Sequence, residues 1–280
     1  MTTAVEPRHE TIHARGLTFH YVEWGDAGAP PIVLLHGLSS MGRIWDPLAR
    51  KLSDRYRLIA LDQRGHGDTS WPDEASYGTD DYVGDLEALV EAWGLERFVL
   101  IGLSMGGHNA MAYAGKHSER VTHLVPVDIR PRIDREKMPA RELDKHVAEN
   151  GHPAIEDHEV ALKLVRLTNQ TTPDAALRHR LRYLLKQLPD GRWINKHDPR
   201  VSYYWQPSNL WDELPKIAAP VLLVRGGKSV VLPGETAERL RAAFPQGELV
   251  TVEQAGHTVP EDTPDEFIEA VEAFLARHPA

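Results

Sequence analysis

Short apolar runs that alternate with helically spaced segments constrain this chain more than any other feature. PIVLLH (Pro31 to His36), YRLIALD (Tyr56 to Asp62), RFVLIG (Arg97 to Gly102) and VTHLVPVD (Val121 to Asp128) each read as a buried strand, and LTFHYVEWG (Leu17 to Gly25) as an earlier one. Between them, IWDPLARKL (Ile44 to Leu52) has helical spacing. After Thr79, which reads as a capping residue, Tyr82, Leu86, Leu89, Val90 and Trp93 form one apolar stripe. A small-residue helix runs from Ser104 to about His117. Such alternation implies an α/β fold, a mainly parallel, doubly wound sheet with helices on both faces.

The alternation stops after Asp128. From about Pro131 to Trp211 the sequence is helical and polar, with charges throughout and no buried strand. It reads as an inserted helical lid, residues 131–211, set into a core made of residues 1–130 and 212–280. Sheet character resumes with PVLLVRG (Pro220 to Gly226) and ELVTVE (Glu248 to Glu253). A last helix, near Glu261 to Arg277, puts Phe267, Val271, Phe274 and Leu275 on one face.

Composition narrows the function. The 280 residues are 41% hydrophobic, enough for a sizeable core. Asp and Glu number 41 against 32 Lys and Arg, a net charge of −9 with the signs interspersed, so there is no basic stripe for nucleic acid and anionic substrates are mildly disfavoured. The amino terminus lacks an apolar h-region, and no apolar run reaches the ~18 residues of a membrane span, so a soluble, cytoplasmic protein without a membrane partner is expected. Whether it forms a homo-oligomer is left open. With no cysteine there is no disulfide, thiol nucleophile or thiolate metal site, and no H-E-x-x-H spacing occurs; neither metal nor cofactor is expected.

Gly102-Leu-Ser104-Met-Gly106 lies where RFVLIG joins its helix. The pentamer is weak evidence alone, but a serine on a tight strand-to-helix turn is held in strained backbone geometry, and flanking glycines avoid collision with the neighbouring strand and helix. Ser104 is therefore the candidate nucleophile. An attacking hydroxyl needs donors for the developing oxyanion. The amide of Met105, at the helix start, is one. The amide of Leu38, in the glycine-containing loop LLHGLSS (Leu34 to Ser40), is the other.

His36-Gly37, DQRGHGDTS (Asp62 to Ser70), Gly102-x-Ser104-x-Gly106 and QAGHTVPEDTP (Gln254 to Pro264) together resemble the α/β-hydrolase superfamily, in its order and over nearly the whole chain. The likeness implies the fold, a helical lid and a serine esterase or lactonase activity. It implies that His257, in the loop between the last strand and last helix, is the general base, while His36, His66 and His108 are structural. DQRGHGDTS reads as a structural turn in which Asp62 and Arg64 can pair.

One position departs from that pattern. In the branch that VRGGKSVVLP (Val224 to Pro233) resembles, an aspartate that orients the histidine follows the serine, and here Val230 stands there. Valine can neither accept an imidazole N–H nor stabilise an imidazolium. Two carboxylates are alternatives. Asp128 ends VTHLVPVD, where DIRP resembles the segment from which haloalkane dehalogenases and some lipases draw their acid; Glu235 lies five residues past Val230. Asp128 is favoured, because a strand end faces the carboxyl edge of the sheet; its competing role is a lid brace through Arg130. Trp45, beside the oxyanion loop, and Tyr203, Tyr204 and Trp205, at the lid's end, are expected to line a substrate pocket.

The leading expectation is a serine hydrolase acting on small carboxylic esters or lactones through an acyl-serine. The alternatives are a carbon–carbon hydrolase or cofactor-free lyase on the same fold, and a ligand-binding or weakly active protein, which Val230 motivates. A serine at position 104 excludes aspartyl-nucleophile chemistry.

Overall fold

The structure is a computed structural model that describes residues 6–137 and 140–279. The first five residues and the last residue of the expected core, and two residues of the expected lid, lie outside these. Ten strands occur among the described residues. They are β1 (Arg8–Ala14), β2 (Leu17–Trp24), β3 (Pro31–Leu35), β4 (Arg57–Leu61), β5 (Phe98–Leu103), β6 (Val121–Val127), a short hairpin of β7 (Leu185–Gln187) and β8 (Trp193–Asn195), β9 (Val221–Gly226) and β10 (Gly247–Val252). Eight of them form one sheet in the order β1-β2-β4-β3-β5-β6-β9-β10. Every pair from β4 to β10 in that order is parallel, and β2 is antiparallel to both its neighbours.

Strand residues alternate between the two faces, and each face is covered. Val33, Leu35 and Leu100 pack with α2 (Thr79–Ala92), α3 (Met105–Lys116) and α8 (Gly234–Ala243). Ile32, Leu34 and Ile101 pack with α1 (Asp46–Leu52) and α10 (Pro264–Arg277), which follows the short α9 (Val259–Asp262). The expected stripes hold: Tyr82, Leu86, Leu89, Val90 and Trp93 of α2 and its end are buried, as are Phe267, Val271, Phe274 and Leu275 of α10. The cap of α2 differs from the expectation. Gly78 precedes the helix and donates its N–H to Asp81 Oδ2 at 2.9 Å, while Thr79 Oγ1 accepts Ser208 N–H at 2.8 Å.

Between β6 and β9 the chain runs through α4 (Arg141–Asn150), α5 (His158–Arg166), α6 (Asp174–Leu184), the β7–β8 hairpin and α7 (Val201–Tyr204). This segment has a small apolar cluster of its own around Leu177 and Leu181, too small to stand alone. It is tied to the core by polar contacts: Tyr77 Oη donates to Asp198 at 2.5 Å, and Gln206 pairs with Gly78.

The turn after β4 is built differently from the expected Asp62–Arg64 pair. Asp62 accepts from His20 Nδ1 at 2.7 Å, Gly42 N at 2.7 Å and Asp68 N at 3.0 Å. Arg64 instead grips Asp85 of α2 with two nitrogens, each at 2.5 Å. Burial makes both arrangements strict, since each of these groups is nearly inaccessible and needs a partner.

Candidate active site

Because β3, β5, β6, β9 and β10 are parallel, their carboxyl ends lie along one edge, and the loops leaving them converge there. Ser104 occupies the turn between β5 and α3 with φ 52° and ψ −118°, a strained conformation for a residue with a side chain. Two glycines make the turn possible. A Cβ on Gly102 would lie 2.3 Å from the Gly106 carbonyl oxygen, and one on Gly106 would lie 2.3 Å from that of Leu35. The elbow thus presses against β3, and any side chain at either position collides with backbone.

Met105 is the first residue of α3, so its N–H belongs to the first turn, which has no intrahelical acceptor. Leu38 follows Gly37, whose Cα is so close to Ser104 that an added Cβ would lie 3.3 Å from the Ser104 Cβ. The loop carrying Leu38 is braced from below by two buried histidines. His36 Nδ1–H donates to Gly37 O at 2.7 Å while its Nε2 accepts Gln63 N–H at 3.0 Å. His66 Nδ1–H donates to Arg64 O at 2.9 Å while its Nε2 accepts Ser39 N–H at 3.1 Å. Those bonds require neutral rings. Burial holds them so, pushing His66 down to about 3 and His36 below its ordinary value. His108, in α3, is likewise held at about 4 by burial.

His257 lies in the loop after β10. Its Nδ1–H donates to Asp128 Oδ2 at 2.7 Å, leaving Nε2 as the acceptor nitrogen. Asp128 directly follows β6, has φ 47° and is 0% exposed. Its Oδ1 accepts Gly226 N–H at 3.1 Å, and its Oδ2 also accepts the Ser229 hydroxyl at 2.5 Å. Asp128 makes no bond to Arg130, so its role as a lid brace is set aside. Val230 points to solvent at 88% exposure, and Glu235 is exposed in the first turn of α8. The loop after β9 therefore contributes a hydroxyl, Ser229, where the related branch has an acid.

Ser104 and His257 line one cavity of about 540 Å³, together with Leu38, Ile129 and Trp205. Trp205 stands where the sequence placed it. Two other expectations are corrected. Trp45 is fully buried against Phe267 in the core and does not line the cavity, because the 3-10 turn Gly42–Trp45 that leads into α1 packs its ring against α10. Tyr203 packs under the Arg141 guanidinium and beside Tyr204, itself 41% exposed, and neither tyrosine lines the cavity. Residues that the sequence did not suggest for the pocket also line it: Thr258, His197, and the arginines Arg130, Arg135 and Arg180.

A carboxylate next to His257 holds the loop in place. Asp262, buried in α9, accepts Gly256 N–H at 2.6 Å and the Thr258 hydroxyl at 2.8 Å, so it grips the residues on both sides of His257. The same carboxylate accepts the hydroxyls of Thr171 at 2.7 Å and Thr172 at 2.5 Å from the inserted segment. Among the described residues, one group has atom types and spacing suited to a metal: His20, Asp62 and Asp68. It lies outside the cavity lining, and the Asp62 oxygens are already taken by the bonds given above.

An eight-stranded, mainly parallel sheet, a serine on a strand-to-helix elbow and a histidine paired with a strand-end aspartate define the class of the α/β hydrolases. The chain belongs to that family: residues 30–264 match the model of the alpha/beta hydrolase fold. It is 32% identical over 262 residues to the mouse (Mus musculus) sn-1-specific diacylglycerol lipase ABHD11, covering 90% of this chain and 83% of that protein. It is 26% identical over 272 residues to esterase Rv0045c of Mycobacterium tuberculosis, covering 96% and 89%. The crystal structure of E-2-(acetamidomethylene)succinate hydrolase superposes with a TM-score of 0.87 at 25% identity, covering 97% of this chain and all of that one. These relatives support a hydrolase of the esterase type. No helix among the described residues is long and apolar enough to cross a membrane.

Proposed function

We propose that this protein is a serine hydrolase that cleaves a small carboxylic ester or lactone through an acyl-serine intermediate. The observation that carries the reading is the 2.7 Å bond from His257 Nδ1–H to a fully buried Asp128. That bond turns Nε2 into the free base and compensates the positive charge the imidazole gains when it takes a proton. Ser104 Oγ attacks the carbonyl carbon as His257 Nε2 removes its proton, and the carbonyl oxygen becomes an oxyanion received by the amides of Leu38 and Met105. The proton passes to the departing alkoxide, which leaves as the alcohol. Water, deprotonated by the same nitrogen, then attacks the acyl carbon, and the carboxylic acid departs as Ser104 regains its proton from His257, ionising once it is in solution.

The inserted segment, residues 131–211, acts as a lid over the cavity. The ligand-binding alternative rested on Val230, and Asp128 supplies the carboxylate that Val230 cannot. The test is covalent: a fluorophosphonate ester should add one phosphonyl group to the peptide containing Ser104, read by mass spectrometry. A label elsewhere, or none, contradicts the reading.

A further inference from the structure

The chain carries a net charge of −9, yet the residues lining the cavity include three arginines and no Asp or Glu. Two of those arginines have their counter-charges. Arg180 is bonded to both oxygens of Glu261 and to Asn169 Oδ1. Arg135 is bonded to Asp144 at 2.9 Å and to the Ser202 carbonyl. Arg130 differs. Among the described residues its guanidinium has no carboxylate partner, and its Nε is buried without a hydrogen bond. It is only two residues past Asp128, on the segment that carries Ile129 into the cavity, so it faces the same space as Ser104.

We infer that the substrate carries a carboxylate, or a group of the same charge and shape, which Arg130 receives while Ser104 attacks the ester. This rests on the proposed hydrolase reading and narrows it to substrates with an anionic group. A planar guanidinium with several N–H donors matches a carboxylate in charge and geometry, and a half-buried one whose Nε has no hydrogen bond is costly until an anion arrives. The overall acidity of the chain does not oppose this. Exposed charges are screened within about a Debye length, ~10 Å, whereas the groups lining an enclosed cavity act on its contents at close range.

The test separates binding from turnover by using the Ser104→Ala protein. Its dissociation constants for monomethyl succinate, an anion, and dimethyl succinate, its neutral ester, are measured by calorimetry. The anion should bind about 10-fold or more tightly. In the Ser104→Ala background Arg130→Gln should abolish that preference, and Arg130→Lys should retain part of it. The ligand pair needs no change at Arg130, and Arg130→Lys keeps the charge if Arg130→Gln fails to fold. Equal or weaker binding of the anion, or a preference that survives Arg130→Gln, would overturn the inference. Failure of the hydrolase reading is seen separately, as ester turnover that Ser104→Ala does not remove.

Discussion

Asp128 Oδ2 accepts both the His257 Nδ1–H at 2.7 Å and the Ser229 hydroxyl at 2.5 Å, while its other oxygen accepts the Gly226 amide. One carboxylate thereby joins the ends of β6, β9 and the loop after β10 at the edge where Ser104 stands. The pairing spans 129 residues of sequence, so the base exists only when the sheet is complete.

Asp128→Asn should therefore reduce kcat steeply, by up to ~10⁴-fold, since an amide at that place disfavours the tautomer with Nε2 free. The folded state should change little, because the asparagine oxygen keeps the Gly226 amide while its NH2 can donate to the Ser229 hydroxyl oxygen and to Nδ1 of the other imidazole tautomer. Turnover near the wild-type value would remove Asp128 from the reaction. Val230→Asp, by contrast, places a carboxylate on a side chain that is 88% exposed, and should leave kcat within a few-fold of wild type. A large gain would show that the site lacks its acid.

Asp262 holds both neighbours of His257 and both threonines of the inserted segment. Asp262→Asn removes the charge that strengthens all four bonds and forces the Thr172 and Thr258 hydroxyls to turn and accept from an NH2, so it should loosen the imidazole and the segment together. The expected outcome is a kcat lower by ~10²-fold, the scale of a misplacement of about 1 Å, with faster proteolysis within residues 131–211. A lowered kcat with unchanged proteolysis would confine Asp262 to the base loop.

The elbow predicts its own fragility. Gly106→Ala puts a methyl group 2.3 Å from the Leu35 carbonyl, a backbone atom that cannot yield. The destabilisation should be about 3 kcal/mol or more, read as a fall in denaturant midpoint. A loss under about 1 kcal/mol would mean that α3 does not press on β3.

Buried neutral histidines set the response to acid. His66 and His108 are held at about 3 and about 4, and His36 is lowered, whereas in the unfolded chain each titrates near 6.5. Between those values the unfolded chain binds more protons, so their contribution is complete above about pH 6.5 and is lost as pH falls towards the folded values. Glu261 and Asp85, raised by burial, act in the opposite sense. The thermal midpoint at about pH 5 should lie below that at about pH 7.5; an equal or higher one would mean that the histidines are not buried neutral.

Much of this was legible in the sequence, for reasons that differ by residue. β3, β5 and β6 are buried on both faces and read as continuous apolar runs, which is why the elbow and Asp128 could be placed. β1 (RHETIHA) has no buried-strand signature in the sequence, because it is an edge strand whose residues are exposed or half-buried and mostly polar. The Trp45 expectation rested on nearness in sequence to the oxyanion loop, but orientation is set by helix packing, which turned the ring into the core. Ser229 adjoins Val230 and Arg130 lies two residues past Asp128, but only the fold shows that one meets Asp128 and the other lines the cavity. Asp62 looked like an ion-pair partner for Arg64 two residues away, yet the tight turn sends their side chains to different elements.

The central claim is tested most directly by the rate of p-nitrophenyl butyrate hydrolysis at about pH 8, measured for this protein beside its Ser104→Ala variant. Turnover that is clear for the first and falls to background in the second, by ~10³-fold or more, is the predicted result. Equal rates, whether both near background or both substantial, would contradict Ser104 as the nucleophile of an esterase.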